Sequence, residues 1–212
     1  GVETRRAPLW FSRPFRHRSP ARARQVTLML DCFSPESVNR AAVQVLEALG
    51  YEVVLAPTVC CGRAAISKGL VRRARHLASK AARQLKGLPP IVGLEPSCIL
   101  TLRDEFPTLG IPEVPSQTFE EFVSDHELPL RRSPRSVLLH GHCHQKALVG
   151  TGPALKLLGQ LPGCPVSEVD SGCCGMAGSF GYEREHYDLS VALAERRLLP
   201  AARQEEARGG VV

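Results

Sequence analysis

The sequence predicts an α/β fold made of two pseudo-repeated half-domains, each with a parallel sheet whose strand ends carry cysteines. Short apolar segments alternate with amphipathic helical segments, an order typical of parallel sheets with helical crossovers. The tripeptide Cys-Cys-Gly occurs twice, beginning at Cys60 and at Cys173. Each copy follows an apolar run that ends in another cysteine. The offsets are 111 residues from Cys32 to Cys143 and 113 residues from Cys60 to Cys173, as expected for one unit used twice.

The first half is predicted to alternate strands and helices. Its elements are a strand at 25–31, a helix from Pro35 that Gly50 ends, a strand at 51–56, a helix from 63 to about 86 and a strand at 90–94. Ser34 is expected to cap the first helix, with Pro35 at its first position. The strands are followed in turn by Cys32, by Cys60 and Cys61, and by Cys98. Because parallel strands end at one sheet edge, where ligands bind, these four thiols are predicted to meet there.

The second half is predicted to repeat this order after a bridge that contains two short helices, one after Cys98 and one near 117–124. Its elements are a strand at 135–140, a helix at 151–161, a strand at 165–169 and a long helix at 183–206. Cys143 follows the first of these strands, and Cys173 and Cys174 follow the second. The chain reaches 211–212 where a third strand would begin, so a fourth cysteine is expected about six residues farther on.

We therefore divide the chain into four parts by sequence. They are a basic tail at 1–24, a first repeat at 25–110, a connector at 111–134 and a second repeat at 135–212 that stops before its last cysteine. The tail, with prolines among its arginines, is expected to form little core of its own. Its aromatic residues Trp10, Phe11 and Phe15 are expected to lie on the domain or on a missing one.

The charge of the chain is concentrated at its start. The net charge is +6, and residues 1–25 supply all of it with seven arginines against Glu3. The remaining residues hold 20 basic and 20 acidic side chains, so their net charge predicts no nucleic-acid partner. No apolar run reaches the roughly 20 residues of a membrane span.

The eight cysteines indicate metal or redox chemistry rather than a disulfide framework, because adjacent cysteines bridge each other badly. Four thiolates suit zinc or an iron–sulfur cluster by softness and number. Adjacent residues have difficulty reaching one zinc, whereas a cluster can take them on different irons, which favours iron–sulfur. Gly62 and Gly175 would let the backbone approach such a cluster. Thiol–disulfide chemistry stays an alternative, and Cys164, outside the repeat, is read as a packing residue.

Several polar residues lie beside the second cysteine set. His140, His142 and His144 would share one face if the strand persisted, and they could then ligate metal or tune a cluster. The alternative is that they cap the loop by hydrogen bonds. Lys146 could balance the negative charge of a thiolate-bound cluster. In the first half, Glu95 stands three residues before Cys98, where Cys-x-x-Cys would have its first cysteine.

At these residues the chain resembles the cysteine-rich domain called the CCG domain. The matching strings are residues 95–98, 140–146 and 173–183, and the resemblance covers about residues 25–212. That domain occurs in the B subunit of heterodisulfide reductase, in the glycolate oxidase iron–sulfur subunit and in the C subunit of anaerobic glycerol-3-phosphate dehydrogenase. The chain is also similar to the C-terminal part of FAD-linked oxidases of the D-lactate and D-2-hydroxyglutarate dehydrogenase type.

The resemblance implies an iron–sulfur electron-transfer module, with a 4Fe–4S cluster, of a flavin-dependent 2-hydroxy-acid dehydrogenase. It implies metal ligands at Cys32, Cys60, Cys61, Cys98, Cys143, Cys173 and Cys174, and cofactor contacts at Gly62, Glu95, His142, His144, Lys146 and Gly175. FAD and a ferredoxin-like segment are expected only in partner domains or subunits, so this chain is not expected to be active alone. A cytoplasmic place, peripheral to a membrane at most, is expected.

Two alternatives stay open. One is a non-redox module that holds zinc or no metal and serves for assembly. The other is a thiol–disulfide reductase of the heterodisulfide reductase type, for which Glu95 replaces a cysteine of the pattern. The sequence does not identify the hydroxy acid, the electron acceptor or the oligomeric state.

Overall fold

The computed structural model describes residues 15–178 and 180–212, which form two compact units divided after residue 128. The first unit contains strands β1 (Arg24–Met29), β2 (Tyr51–Leu55), β3 (Ile91–Gly93) and β4 (Ser116–Thr118). Its helices are α1 (Glu36–Ala48), α2 (Arg63–Ser67), α3 (Val71–Leu85), α4 (Pro96–Ile99), α5 (Glu105–Thr108) and α6 (Phe119–Val123). The second unit contains β5 (Val137–Leu139), β6 (Val166–Glu168), α7 (Cys143–Leu148), α8 (Gly152–Leu158), α9 (Tyr187–Glu195) and α10 (Leu198–Ala207).

The first unit is built on a four-stranded parallel sheet in the order β2-β1-β3-β4. The central strand β1 reads as an apolar run because parallel strands are covered on both faces, and Val26, Thr27 and Leu28 are fully buried. The helices pack on it through small and branched side chains. The buried residues of α1 and α3 include Ala42, Val43, Leu46, Ala74, Ala78, Ala81 and Leu85.

The second unit has a two-stranded parallel sheet, β5 with β6. Val211 forms an isolated parallel bridge with Val137, and the Leu138 N–H donates to the Val211 carbonyl at 2.8 Å. The Val137 N–H instead donates to the Pro165 carbonyl at 2.8 Å. Since successive N–H groups of a strand point to opposite sides, Val211 and β6 flank β5. The sequence placed the start of a third strand at this position.

The predicted α/β class with parallel sheets is confirmed, while several element predictions need correction. A fourth strand, β4, lies in the stretch that was read as a bridge. The predicted helix from 63 to 86 is two helices, separated at Gly69, whose φ of 69° ends the first one. Leu70, which the helical periodicity places on the inner face, is 53% exposed as a result. The internal repeat and the four sequence-based boundaries stay predictions.

Two helix boundaries also differ. Pro35 is the N-cap of α1, which begins at Glu36, and Ser34 donates to Asp31 at 2.6 Å rather than capping the helix. The long helix predicted at 183–206 is interrupted between α9 and α10, where Arg197 has φ −146°. At the start of α1, the Ser34 side chain bonds a local partner instead of the helix backbone.

The part of the basic tail that the structure describes lies against the first unit. Ser19 donates to Glu47 at 2.6 Å, and the guanidinium of Arg24 lies 4.6 Å from the centre of the Tyr51 ring. The Phe15 ring stacks on His17 at 6.4 Å. Trp10 and Phe11 lie outside the described residues. Across residues 15–178 and 180–212, no helix combines the length and apolarity that a membrane span requires.

Candidate metal centre

Cys32 lies in a short loop after β1 that the Asp31 carboxylate holds in shape. Asp31 accepts hydrogen bonds from the N–H groups of Phe33, at 2.6 Å, and Ser34, at 2.7 Å, and from the Ser34 hydroxyl. An aspartate that bonds the backbone two or three residues later is a common way to fix a turn. This loop presents Cys32 as an exposed thiol at the carboxyl edge of the sheet.

The Cys60-Cys61-Gly62 turn joins β2 to α2, and its glycine is required by geometry. Gly62 has φ 85° and is the N-cap of α2. A Cβ atom there would lie 3.3 Å from the carbonyl oxygen of Ala74 on α3, so the turn packs directly on the next helix. Cys60 is exposed while Cys61 is 5% exposed. The two adjacent thiols therefore face different surroundings.

Cys98 lies in α4, directly after β3, and is 8% exposed. Glu95 is the N-cap of this helix, because its Oε1 accepts from the Ser97 N–H at 3.1 Å and from the Ser97 hydroxyl at 2.5 Å. Gly93 lets α4 approach the strand, since a Cβ atom at Gly93 would lie 2.8 Å from the Cβ of Ile99. Glu95 thus has a structural role in placing Cys98, whatever it does toward a cofactor.

Each of the four thiols of the first unit interacts with a neighbouring thiol, in the order Cys32, Cys60, Cys61 and Cys98. The pKa of Cys60 is raised, first by its interaction with the Cys61 thiol and then by burial. Cys60 lowers the pKa of Cys61, but the interaction with Cys98 and burial outweigh this and raise it to about 12. Burial and then the neighbouring Cys60 raise the pKa of Cys32. Pairwise interactions therefore link Cys32 to Cys60, Cys60 to Cys61 and Cys61 to Cys98, and the role of these thiols as metal ligands stays a prediction.

This thiol set fits a multi-iron cluster better than a single zinc ion. Zinc–sulfur bonds of about 2.3 Å in a tetrahedron require sulfur atoms about 3.8 Å apart. Among residues 15–178 and 180–212, His142, Cys143 and His144 form a group whose ligand atoms all lie within 4.8 Å of one another. No three of the four thiols of the first unit lie that close together. A cluster with several irons accepts more widely spaced thiolates. The raised pKa values of Cys32, Cys60 and Cys61 also mean that a bound cation would favour their thiolate forms.

In the second unit, His142, Cys143 and His144 lie at the start of α7. Strand β5 ends at Leu139, so the histidines do not share a strand face, and the alternative of capping by hydrogen bonds describes His142. His142 is the N-cap of α7, and its Nδ1 accepts from the His144 N–H at 3.1 Å. The two rings stack 5.5 Å apart, and the Cys143 Sγ lies 3.9 Å from the His144 Nδ1. The helix start, rather than a strand, brings these ligands together.

His140 and Lys146 hold the loop before Cys173. The His140 Nδ1 lies 2.7 Å from the Ser171 hydroxyl. The Lys146 ammonium donates to the Ser171 carbonyl at 2.8 Å and lies 3.9 Å from the Glu168 carboxylate. Burial, followed by the Lys146 charge, lowers the pKa of His140. Lys146 is therefore engaged with the loop backbone, and its role toward a cluster stays a prediction.

The Cys173-Cys174-Gly175 turn differs from its counterpart in the first unit. Gly175 has φ 82°, and its N–H donates to the Cys173 sulfur at 3.3 Å. A Cβ atom at Gly175 would overlap the Ser190 carbonyl oxygen of α9. Cys173 lines a cavity of about 220 Å³ beside Arg196 and Arg197. In the described part of the second unit, no hydrogen bond or resolved electrostatic interaction joins Cys143 to Cys173 or Cys174.

Comparison with protein families identifies the first cysteine set. A model described as "Cysteine-rich domain", the CCG family, matches residues 27–103. Residues 27–103 are thus similar to CCG domains. The match contains the four interacting cysteines and the three strands that place them. No solved structure matches the chain significantly.

The similarity to curated relatives extends beyond residues 27–103. The chain is 29% identical to the C subunit of anaerobic glycerol-3-phosphate dehydrogenase of Escherichia coli over an alignment of 205 residues. The alignment takes in 87% of this chain and 50% of that protein. It is 30% identical to D-2-hydroxyglutarate dehydrogenase of the same species, over 82% of this chain and 18% of that protein. It is 31% identical to the B subunit of fumarate reductase (CoM/CoB) of Methanothermobacter marburgensis, over 76% and 33%. The chain thus spans half or less of these relatives.

Sequence reasoning missed three residues around the CCG domain thiols. Asp31 fixes the first loop, and its signal was an acidic residue between a strand end and Ser34. Arg73 of α3 acts electrostatically on Cys60 and opposes part of the rise in its pKa, which only the packing of α3 on the turn reveals. Glu120 of α6 follows β4 and interacts electrostatically with Glu95, while burial raises its pKa.

Proposed function

We propose that the first unit holds an iron–sulfur cluster on Cys32, Cys60, Cys61 and Cys98, and that the chain is an electron-transfer module of a flavin-dependent dehydrogenase. The observation that carries this proposal is the interacting series of four thiols at one sheet edge. A 4Fe–4S cluster, when bound, would accept and release single electrons. The buried Cys61 and Cys98 exclude water from one side of the site, and Cys32 and Cys60 face solvent.

The names of the relatives support a place in oxidation of a small hydroxylated substrate. They are D-2-hydroxyglutarate dehydrogenases, the C subunit of a glycerol-3-phosphate dehydrogenase, and lactate utilization protein A 1 of Bacillus cereus. We infer a 2-hydroxy acid as the substrate class of the whole enzyme, with flavin and ferredoxin-like domains or subunits as partners. The residues of this chain serve the cluster and its surroundings, and they hold no substrate in this proposal.

Disulfide reduction by these thiols is a weaker candidate. Thiol–disulfide exchange needs a thiolate, and its rate depends on the thiolate fraction. The pKa of Cys61 is raised to about 12, and that of Cys60 is raised as well. The direction of these shifts disfavours the thiolate form that disulfide exchange needs.

The proposal is tested by anaerobic reconstitution of the full chain with iron and sulfide, followed by metal analysis and electron paramagnetic resonance. Cys60→Ser is expected to lose most of the bound iron, because a cluster lacking one thiolate has lower affinity. Cys164→Ser is the matched control, since this thiol donates to the Arg135 carbonyl at 3.0 Å away from the site, and it should retain all iron. Absence of iron from every sample would remove the proposal.

A second candidate function, zinc binding for assembly, is favoured by the compact group His142, Cys143 and His144. One thiolate and two imidazoles are typical zinc ligands. We expect one zinc per chain at this group, with His144→Gln reducing zinc affinity about tenfold or more. His140→Gln serves as the control, because His140 bonds Ser171 instead. Zinc affinity that is equal in both variants would exclude this group as the site.

A further inference from the structure

Helix α3 carries a strongly cationic surface that the net charge of the chain conceals. Residues 53–94 contain eight lysines and arginines and no aspartate or glutamate. Six of these cations belong to α3 or directly follow it, all are exposed, and none has an acidic partner in the described residues. We call this surface the basic helix face: Arg72, Arg73, Arg75, Lys80, Arg83 and Lys86. By contrast, Arg63 of α2 pairs with Glu105.

One end of the basic helix face lies beside the cysteine turn. The Gly62 α-carbon is packed so closely on α3 that an added Cβ would lie 3.3 Å from the Ala74 carbonyl oxygen and 3.6 Å from the Leu77 Cβ. Arg73 is the residue before Ala74 on α3, and its side chain is exposed. Cys60 itself is exposed. The cationic surface is therefore continuous with the exposed side of the thiol set.

The composition of this face favours a protein partner over a membrane or a nucleic acid. The apolar side of α3 is buried in its own unit through Ala74, Ala78, Ala81 and Leu85, so the helix cannot insert an apolar face into a bilayer as amphipathic membrane helices do. Single-stranded nucleic acid is bound by cations interleaved with stacking aromatic side chains, and α3 contains no Phe, Tyr or Trp. Leu70 and Val71, both exposed, add a small apolar patch of the kind found within protein interfaces.

We propose that the basic helix face docks an acidic redox protein and brings its electron-accepting group to the Cys60 side of the cluster. This inference rests on the proposed function, because it gives the partner of the same site. Opposite charges steer a partner into place and raise association rates by about 10–10³-fold at low salt. The arginines at residues 72, 73 and 75 lie within two residues of Ala74, which packs on the turn, so the charges at this end of the helix set the docking position. The charges at Lys80, Arg83 and Lys86 extend the field along the helix.

The test uses the reconstituted, reduced chain and two one-electron acceptors of opposite charge, plastocyanin, which is acidic, and cytochrome c, which is basic. Each transfer removes one electron from the cluster and reduces one copper(II) to copper(I), or one haem iron(III) to iron(II). We expect plastocyanin to react faster at low ionic strength. Its rate should fall as salt screens the charges.

Two charge-reversed variants separate docking from a general charge effect. R72E/R73E/R75E should lower the plastocyanin rate about tenfold or more and raise the cytochrome c rate. K80E/R83E/K86E makes the same change in net charge farther along the helix from the turn. Its decrease in the plastocyanin rate should be severalfold smaller than that of R72E/R73E/R75E. Thermal melting of both variants checks that each is folded. Equal effects of the two variants, or a preference of the unmodified chain for cytochrome c, would overturn the proposal.

Two further measurements keep this proposal distinct from the cluster proposal. If the chain binds no iron, the cluster proposal fails, but plastocyanin binding to the iron-free chain can still be measured by calorimetry at low and high salt. Loss of that binding in R72E/R73E/R75E supports docking. Binding of the chain to anionic phospholipid vesicles, with no plastocyanin binding, would overturn it in favour of a membrane.

Discussion

The two cysteine sets of this chain begin from similar sequence patterns and have different surroundings. In the first unit, four thiols from three strand ends interact with one another, and the pKa values of Cys32, Cys60 and Cys61 are raised. In the second unit, Cys143 is grouped with two histidines, and Cys173 accepts a backbone hydrogen bond beside an arginine-lined cavity. The sheet explains the contrast, because three paired strands in the first unit direct their ends to one edge. A repeated cysteine pattern therefore does not by itself produce a repeated arrangement of the thiols.

The sharpest test of this comparison is the loss of a single thiol from each unit. Cys61→Ser should abolish most of the iron bound after anaerobic reconstitution, because Cys61 interacts with both Cys60 and Cys98. Cys174→Ser should change the iron content much less. Iron per chain is measured for both variants alongside the unmodified protein. Equal loss in the two variants would mean that both sets serve one shared site, and the contrast would be wrong.

The glycines of the two turns offer a second test, on stability. Gly175→Ala places a methyl group on the Ser190 carbonyl oxygen at a φ of 82°, and we expect a loss of about 3 kcal/mol or more in unfolding free energy. Gly62→Ala meets Ala74 at 3.3 Å at a φ of 85°, and about 1–2 kcal/mol is expected. Denaturant unfolding measures both.

Gly172→Ala provides the control for these two substitutions. Gly172 has open space around it and no positive φ, so alanine there should change stability by less than about 0.5 kcal/mol. If Gly62→Ala proved the more costly of the two turn variants, the tighter packing inferred for the second turn would be contradicted.

The smallest expected effect concerns pH and affects the first unit. The hydrogen bond from Ser19, and then His17 at 2.8 Å, lowers the pKa of the Glu47 carboxyl. A lowered pKa in the folded state contributes stability above the unfolded pKa, and this contribution is lost as pH falls through the folded value. Glu47→Gln should therefore reduce stability at pH 7 by under about 1 kcal/mol and have less effect near pH 3. Melting temperatures at both pH values check this sign.

The sequence predicted the strands and the site edge of the first unit because apolar runs followed by cysteines are local signals. It missed β4, since Ser116–Thr118 carries no apolar run and is recognised only by its pairing with β3. The break at Gly69 was missed because the helical periodicity continues on both sides of it. These features depend on tertiary contacts, which local patterns do not contain.

The candidate site shows the same division. The four thiols of the first unit were predicted as a group, since strand ends of a parallel sheet converge. The geometry of the histidines was left open, because the sequence allowed either a persisting strand or a capped loop, and the short helix α7 decides between them. The basic helix face was hidden by a balanced count of charges, since a sum over the chain discards where the charges lie.

The step from Cys60 to Cys61 crosses from solvent to the protein interior within one residue. Any inorganic group held by both sulfurs would have a wet side and a dry side. Solvent access is one of the factors that set the reduction potential of such a group. A protein that covers Cys60 would dry the wet side, so docking and redox tuning would be the same event.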